Sequence, residues 1–376
     1  MSKIRIGTVF SGIGAIEFAL KRLNYDHEII FACDNGGVLI DYNQAEELNK
    51  IKSLKTKKEK KEYVDNLYAT KSRKHNFVKD SYLANYKIRN DAFYQDVRLL
   101  DGTDYEGEID LFVGGSPCQS FSTVGFQAGL EDTRGTLFYE YARLVNEIKP
   151  KVFIYENVRG LFTHDKGKTW EVIKSVFNSL GYEIDYRVIN AVEFGIPQKR
   201  RRLFVVGHKK NNVQYKLPVG NENAISLEMS DFTIEKCAFG SFTYSKDDKN
   251  FGDLIFGRKT GEIDDKYFLS DAVREYVLKG GTKSFYQKPE TDLKIARTLL
   301  STMGNCHRAG VDNYITINGK LRMLSEREAL RLMGFTDDFV QVVSTAQMYK
   351  QAGNSIVVDV LIAILKSIVK SKLLEE

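Results

Sequence analysis

The chain has 376 residues, 43% of them hydrophobic, and carries 55 lysines and arginines against 50 aspartates and glutamates for a formal charge of +5. That much apolar material supports one large α/β domain plus a smaller one and excludes global disorder. The mild basic excess permits a polyanionic partner without requiring one. Four cysteines (Cys33, Cys118, Cys237, Cys306) form no C-x-x-C pair and five histidines are scattered, so no disulfide framework and no metal site is expected. Met1-Ser2-Lys3 opens no signal-peptide pattern and no apolar run reads as a membrane span, so the expectation is a cytoplasmic protein.

Ile4 to Phe10 is apolar and β-branched enough for a first buried strand. It runs into Ser11-Gly12-Ile13-Gly14, after which Ala15, Ile16, Ala19, Leu20 and Leu23 recur at helical spacing. Strand, glycine turn and helix make the opening of a nucleotide-binding α/β fold: glycines let a ligand approach the backbone, and the helix start offers free N–H groups. A second strand, Glu28 to Ala32, ends at Cys33-Asp34, and an acid at that distance from the glycines suits a pair of ribose hydroxyls.

Residues 36 to 90 are the least patterned. The lysine-rich run from Lys50 to Lys61 reads by default as a solvated helix face, and an arm along a nucleic-acid backbone is the sharper alternative. Phe93 to Val97 then forms a third strand end carrying Asp96. Ile109 to Val113 is a short buried strand broken by Gly114-Gly115-Ser116-Pro117, which sets the thiol of Cys118 just past its carboxyl end, where open α/β sheets hold ligands.

Leu137, Phe138, Tyr141, Leu144, Val145 and Ile148 give the next helix its core stripe, closed by Pro150. Val152 to Tyr155 is a buried strand ending in Glu156-Asn157-Val158. A helix through Trp170 and Phe177 stops at Gly181, and an alternating strand follows from Tyr182 to Val188. Gln198 to Arg202 is a basic turn leading into the strand Leu203 to Gly207. From 212 to 320 apolar runs shorten and Gly, Asn, Asp and Lys rise, which predicts a small domain of strands and loops. Ser325-x-x-Glu328 is a capping box whose helix Gly334 closes. Asn354-Ser355 is expected to cap a final helix with Ile356, Val357, Val360, Leu361, Ile364 and Ile368 on its apolar side.

Three strand ends thus bring Phe10 to Gly14, Cys118 and Glu156 to one sheet edge. A thiol, a carboxyl and a nucleotide-type pocket suit methyl transfer to an aromatic ring carbon. A thiolate added to one carbon of such a ring turns the neighbouring carbon into a nucleophile, and a carboxylic acid can share a proton at a ring nitrogen while cations stabilise the charge.

Pro117-Cys118-Gln119 resembles the nucleophile motif of the cytosine-5 DNA methyltransferases, and the rest of the chain follows the same order. Phe10-Ser11-Gly12-Ile13-Gly14 resembles their first cofactor motif, Glu156-Asn157-Val158 their base-recognition motif, and Gln198-x-Arg200-x-Arg202 their arginine motif. Gln351 to Ser355 resembles the motif that folds back onto the cofactor, and Arg322 to Phe335 the one that orders the small domain.

The resemblance implies a Rossmann-like S-adenosylmethionine-dependent α/β fold, a mixed sheet with helices on both faces. Domains are expected at 1–211 (catalytic, with an insertion at about 36–90), 212–320 (target recognition) and 321–376 (hinge and returning C-terminal helix). It implies Cys118, Glu156, Arg200 and Arg202 as catalytic residues. Phe10, Ser11, Gly12, Gly14, Asp34, Asp96, Pro117, Leu137, Asn354 and Ile356 would hold S-adenosyl-L-methionine, leaving S-adenosyl-L-homocysteine as product, with Asp96 at the adenine amino group. Gln119, Ser122, Asn157, Gln198 and Thr298 would meet the base or DNA. The partner is double-stranded DNA with the target cytosine flipped out, in a monomer, with a cognate restriction endonuclease acting separately. The connection between Asp34 and Asp96 is longer than the family's, and Asn35 stands where the family often has a larger side chain. An RNA (tRNA) cytosine-5 methyltransferase is the same-chemistry alternative, but its Cys-Phe-Thr signature is missing, Cys237 being followed by Ala238-Phe239. A nicotinamide-dependent oxidoreductase would share the opening and need no Pro-Cys-Gln loop.

Overall fold

The computed structural model describes residues 3–89, 91–117, 137–209, 213–247, 251–282 and 285–375. Its centre is a seven-stranded sheet of β1 (Ile4–Val9), β2 (His27–Cys33), β3 (Phe93–Tyr94), β4 (Leu111–Gly114), β5 (Val152–Val158), β6 (Glu183–Asn190) and β7 (Arg201–His208). The order is β3-β2-β1-β4-β5-β7-β6. The first five strands run parallel, and β7 is antiparallel to both β5 and β6. This is the expected mixed sheet.

Alternation along β5 explains why both faces must be covered. Val152 and Ile154 join one apolar cluster with Phe18 and Leu20 of α1 (Ala15–Arg22) and Leu361 and Ile364 of a C-terminal helix (Val358–Lys370). Phe153 and Tyr155 face the other way, onto Tyr141 and Leu144 of the helix Leu137–Ile148 and Phe177 of the helix Lys168–Ser179. A strand buried on both faces reads as a continuous apolar run, as it does here.

The long connection after β2 folds into three helices: α2 (Gln44–Ser53), α3 (Lys57–Lys71) and α4 (Phe77–Asn85). Thr56 and Glu59 form a capping box that starts α3. Most of the lysine run from Lys50 to Lys61 is exposed, as a solvated face requires, and its last two lysines are the exception. Lys60 is buried between Asp101 (2.8 Å) and Asp104 (2.7 Å), and Lys61 is buried against Asp65. Lys52 reaches Glu147 at 3.2 Å and Lys57 reaches Glu108 at 2.7 Å. Several lysines of the run are thus paired with the protein's own acids, two of them in buried positions.

In chain order the longer helices that follow are α5 (Leu137–Ile148), α6 (Lys168–Ser179), α7 (Asp271–Val277), α8 (Glu326–Arg331), α9 (Thr345–Asn354) and α10 (Val358–Lys370), with a single turn at Gly160–Thr163 before α6. Between β7 and α8 lie two-residue strand pairs, α7 and a hairpin of Tyr314–Ile317 with Lys320–Met323, the strand-and-loop character expected there. The hairpin runs across the expected boundary at 320. Buried ion pairs tie this part to α8: Arg322 holds Glu235 at 2.6 Å and Glu328 at 2.8 Å, while Arg331 holds Asp337 at 2.7 Å. Arg331 also donates to the Cys237 carbonyl at 2.7 Å. Removing one partner of such a pair costs several kcal/mol, so this connection is firmly held.

Two C-terminal expectations change. Asn354 ends α9 instead of capping the last helix, and α10 begins after Val357 with no side-chain cap. The stretch Thr345–Lys370 is long and apolar enough, by length and composition, to cross a membrane, yet 61% of its most apolar window is buried in the fold. It is core.

Candidate active site

The turn after β1 is the first element of the site. Phe10 takes a positive φ of 53°, and Gly12 and Gly14 follow at 54° and 75°. A side chain at Gly14 would strike the Tyr86 ring at 2.2 Å, and the Tyr86 hydroxyl donates to the carbonyls of Ile13 (2.9 Å) and Gly14 (2.6 Å). The turn is thus braced from behind by α4, while the Cβ direction at Gly12 is open. The Ser11 hydroxyl takes the Cys33 backbone N–H at 3.0 Å, which joins this turn to the end of β2.

Asp34 stands at that end. Its two carboxylate oxygens accept the backbone N–H groups of Gly12 (2.9 Å) and Gly36 (2.8 Å), and Asn76 donates to its carbonyl at 2.8 Å. Burial pushes its pKa up, while the Gly36 and Gly12 bonds and the charge of Lys350 pull it back. An ionised carboxylate has about four acceptor positions, so two remain for an outside donor such as a sugar diol.

On the other side of β1, the loop after β4 is pinned to β5. The Ser116 and Tyr155 hydroxyls lie 2.7 Å apart, and Asn157 Nδ2 donates to the Ser116 carbonyl at 2.9 Å and the Tyr155 hydroxyl at 2.8 Å. A Cβ at Gly115 would lie 2.8 Å from Glu156 Oε2 and 3.0 Å from the Glu156 carbonyl, so only glycine lets this loop pass so close to the carboxyl group. Pro117 is the last described residue before Cys118. Cys118, Gln119 and Ser122 lie outside the described residues; the chain leading to them passes Glu156 at Gly115.

Glu156 is nearly buried, and burial raises its pKa above the usual carboxylate range, with Arg202 and then Arg200 pulling it back. Arg202 Nε stands 3.3 Å from Glu156 Oε1, an arrangement set by the antiparallel register of β5 and β7. A carboxyl group shifted in that direction is better able to hold or share a proton than an ordinary one.

Arg200, two residues earlier, points elsewhere. It is buried and donates to the carbonyls of Leu299 (3.1 Å), Gly353 (2.9 Å) and Ser355 (2.7 Å). Burial and then repulsion from Arg202 lower its pKa to about 9, which still leaves it cationic at neutral pH. Gln198 is fully buried as well: its amide donates to the Leu332 carbonyl at 2.8 Å and accepts the Leu299 N–H at 3.1 Å. The two-residue strand Gln198–Lys199 pairs with Ala296–Arg297, which completes a knot of β7, the strand before Leu299, and α9.

A cavity of about 540 Å³ opens beside this knot, lined by Val158, Lys199, Arg201, Arg202 and Thr298 among others. The Thr298 hydroxyl donates to the Lys199 carbonyl at 2.6 Å. Arg159, Lys199, Arg201 and Arg202 outnumber Glu222 in its lining, and Arg202 connects it to the Glu156 carboxyl group.

Comparison with known proteins decides what this arrangement belongs to. The model of the C-5 cytosine-specific DNA methylases matches residues 60–370. The chain belongs to that family. The Type II methyltransferase M.HhaI of Haemophilus parahaemolyticus is 35% identical over 297 residues, 73% of this chain and 84% of that protein. M.SsoII of Shigella sonnei is 34% identical over 308 residues, 78% of this chain and 72% of that one. The structure of the S. pombe Dnmt2 methyltransferase matches with a TM-score of 0.64 at 17% identity, over 100% of this chain and 99% of that one, a likeness of fold. The protein is accordingly a DNA cytosine-5 methyltransferase, with S-adenosylmethionine as the methyl donor general to the family.

The methylase's expected site residues divide into two groups. Phe10, Ser11, Gly12, Gly14 and Asp34 meet at one turn, and Glu156 and Arg202 meet beside the loop to Cys118. Leu137 begins α5, half-buried; Asn354 is exposed at the end of α9 and Ile356 is half-buried behind it. Gln198, Arg200 and Asn157 are instead buried in bonds to their own chain, so the base contact expected of Gln198 and Asn157 has no exposed surface to work through. Sequence reading missed Tyr86, Asn76 and Tyr155, whose hydroxyl and amide groups brace the two turns. Aromatic residues in a polar stretch (Tyr82, Tyr86) were the available signal.

Proposed function

We propose that this methylase modifies cytosine within a short recognition sequence of double-stranded DNA, as the modification half of a restriction–modification system. A separate endonuclease would cut the unmodified site. The carrying observation is the pairing of a nearly buried Glu156 with Arg202 at 3.3 Å, at the spot where Gly115 brings the loop to Cys118 against the same carboxyl group.

In this reading the target cytosine leaves the helix and enters the approach between Arg202 and Thr298. The Cys118 thiolate adds to carbon 6, and the ring's electron pair is received at N3 by a proton shared with Glu156. Arg202 orients Glu156 and offers its remaining N–H groups to the base carbonyl. Carbon 5 is then nucleophilic. After substitution there, loss of the carbon 5 proton and departure of the thiolate restore the ring. S-adenosylmethionine, when bound, supplies the electrophilic methyl group. Phe10, Ser11, Gly12, Gly14 and Asp34 would hold its nucleoside, with Asp34's two remaining acceptor positions for the ribose; Pro117, Leu137, Asn354 and Ile356 would close around it. Arg200 and Gln198 act as positioning residues that lock the hinge. Residues 213 to 320 would read the bases through the major groove, and phosphate contacts would make binding salt-dependent. We place the enzyme in the cytoplasm, acting as a monomer.

The test is transfer of tritium from labelled S-adenosylmethionine to duplex DNA and, in parallel, to tRNA, with bisulfite sequencing of labelled DNA. Cytosine-5 label in one short context is expected. Cys118→Ser should abolish transfer while DNA still binds, and full activity in that variant would sink the mechanism.

A further inference from the structure

Helix α4 is tied at both ends to the turns that carry Asp34 and the glycines. Its N-cap residue, Asn76, donates to the Asp34 carbonyl at 2.8 Å, while the Asn76 side-chain oxygen accepts the Lys79 N–H at 3.0 Å and so starts the helix. Its C-cap residue is Tyr86, whose ring and hydroxyl brace Gly14. Between them the Tyr82 hydroxyl donates to Glu17 Oε1 of α1 at 2.6 Å.

The middle of α4 is bonded to the far end of the chain. The Ser81 hydroxyl donates to Gln351 Oε1 of α9 at 2.7 Å, and Gln351 Nε2 donates to the Phe77 carbonyl at 3.0 Å, one turn earlier on α4. Ser81 and Gln351 are both buried, so water cannot replace either bond, and losing one leaves a buried polar group without its partner. Gln351 stands one turn before Asn354 on α9. The other side of that turn is fixed by Arg200 at the Gly353 and Ser355 carbonyls, and a Cβ at Gly353 would lie 2.3 Å from the Ser301 nitrogen. The neighbouring Lys350 brings its Nζ to 3.3 Å from where a Gly37 Cβ would stand, and its charge draws the Asp34 pKa down. The end of α9 thus arrives beside the same strand end as Asp34.

We propose that Ser81 and Gln351 are positioning residues for the cofactor: their bond latches α9 to α4, so that the glycine turn and the segment 354–356 hold one ligand as a unit. The inference rests on reading those two segments as the S-adenosylmethionine pocket. Neither residue touches the cofactor. The latch governs how tightly the cofactor is held and leaves the chemistry at Glu156 unchanged.

Two readouts test it: calorimetry with S-adenosylhomocysteine, and single-turnover methylation of duplex DNA at saturating S-adenosylmethionine. Ser81→Ala should weaken S-adenosylhomocysteine about tenfold, as the loss of one buried hydrogen bond does, and raise the KM for S-adenosylmethionine by a similar factor. Its saturated single-turnover rate should stay within about twofold of wild type. Asn85→Ala is the contrast. It breaks the paired bonds of Asn85 with Val340 (2.7 and 2.9 Å), which hold α4 to the loop after α8, and should leave cofactor affinity within about twofold. Equal weakening in both variants overturns the proposal, as does a lower melting temperature in Ser81→Ala with unchanged affinity, since α4 would then be an ordinary structural helix. A slower saturated rate at unchanged affinity overturns it too. Should Ser81→Ala not fold, Gln351→Met is judged by the same two readouts. Wild-type protein that binds no S-adenosylhomocysteine overturns the pocket reading, and this inference with it.

Discussion

Asp96 and Glu156 both stand at the carboxyl ends of parallel strands in one sheet, four strands apart in its order, and the fold equips them in opposite ways. Asp96 receives five donors from Arg98, Tyr42 and Tyr68. Glu156 has, among the described residues, one ion pair at 3.3 Å, and burial raises its pKa. Hydrogen bonds to a charged group contribute about 1.5–3 kcal/mol each, so a saturated carboxylate is fixed in place and in charge. A carboxyl group that must exchange a proton needs the reverse: few partners, little water and a pKa moved toward neutrality. The same residue type serves as a post at one end of the sheet and as a reactive group near its middle.

The largest test of that contrast is Glu156→Gln. It should lower methyl transfer by roughly 10²–10⁴-fold, the usual range for a lost general acid or base, in a single-turnover assay. Stability should move the other way. A carboxyl whose pKa is raised on folding binds its proton more tightly in the folded state, so its contribution is greatest at low pH and is lost as pH rises through the raised value. Glu156→Gln should therefore melt no lower than wild type at pH 8; a drop of several degrees would make Glu156 a structural residue instead.

The two arginines give the next test. Arg202→Met should cut the rate by about a hundredfold with a smaller change in melting temperature than Arg200→Met, since its guanidinium serves one carboxyl group where Arg200 serves three buried carbonyls. Arg200→Met strands three buried carbonyls and should cost about 3 kcal/mol of stability, read by denaturant titration. Equal melting shifts in the two variants would erase the division of labour between them.

Lys60→Met sharpens the comparison from the side of the post, with the smallest effect on activity. It leaves Asp101 buried without its cation and should cost about 2–4 kcal/mol in denaturant titration at pH 7, with only a few-fold weaker cofactor binding. Burial would raise Asp101, but the Lys60 and Thr103 bonds outweigh it and its pKa is lowered; Lys60 is raised because its two acid partners outweigh its burial. The acid's contribution is present above its unfolded value of about 3.9 and lost as pH falls through the lower folded value; the lysine's is present below about 10.4 and lost as pH rises through the higher one. The deficit of Lys60→Met should thus be flat from about pH 5 to 9 and shrink below about pH 4. A deficit unchanged at pH 3 would assign it to packing alone.

What the sequence by itself determined about this protein is what short-range physics controls. Gly12 and Gly14 break β1 because the turn needs left-handed backbone, Ser325 and Glu328 cap α8 through bonds three residues apart, and the apolar strand runs follow from burial on both faces. The order of those signals was enough to name the chemistry, and the structure sets Gly115, on the way to Cys118, against Glu156. Tertiary structure decided how neighbouring residues divide their work. Arg200 and Arg202 sit two residues apart in identical company, yet one faces three carbonyls from distant segments and the other faces Glu156, because the partners arrive only when β5, β7 and α9 assemble. The lysine run looks solvated in composition, yet Lys60 meets Asp101 and Lys52 meets Glu147, acids that lie far along the chain. Charge and polarity are written residue by residue, whereas the partner that makes a charge a brace or a catalyst is supplied by the register of the sheet and the docking of helices upon it.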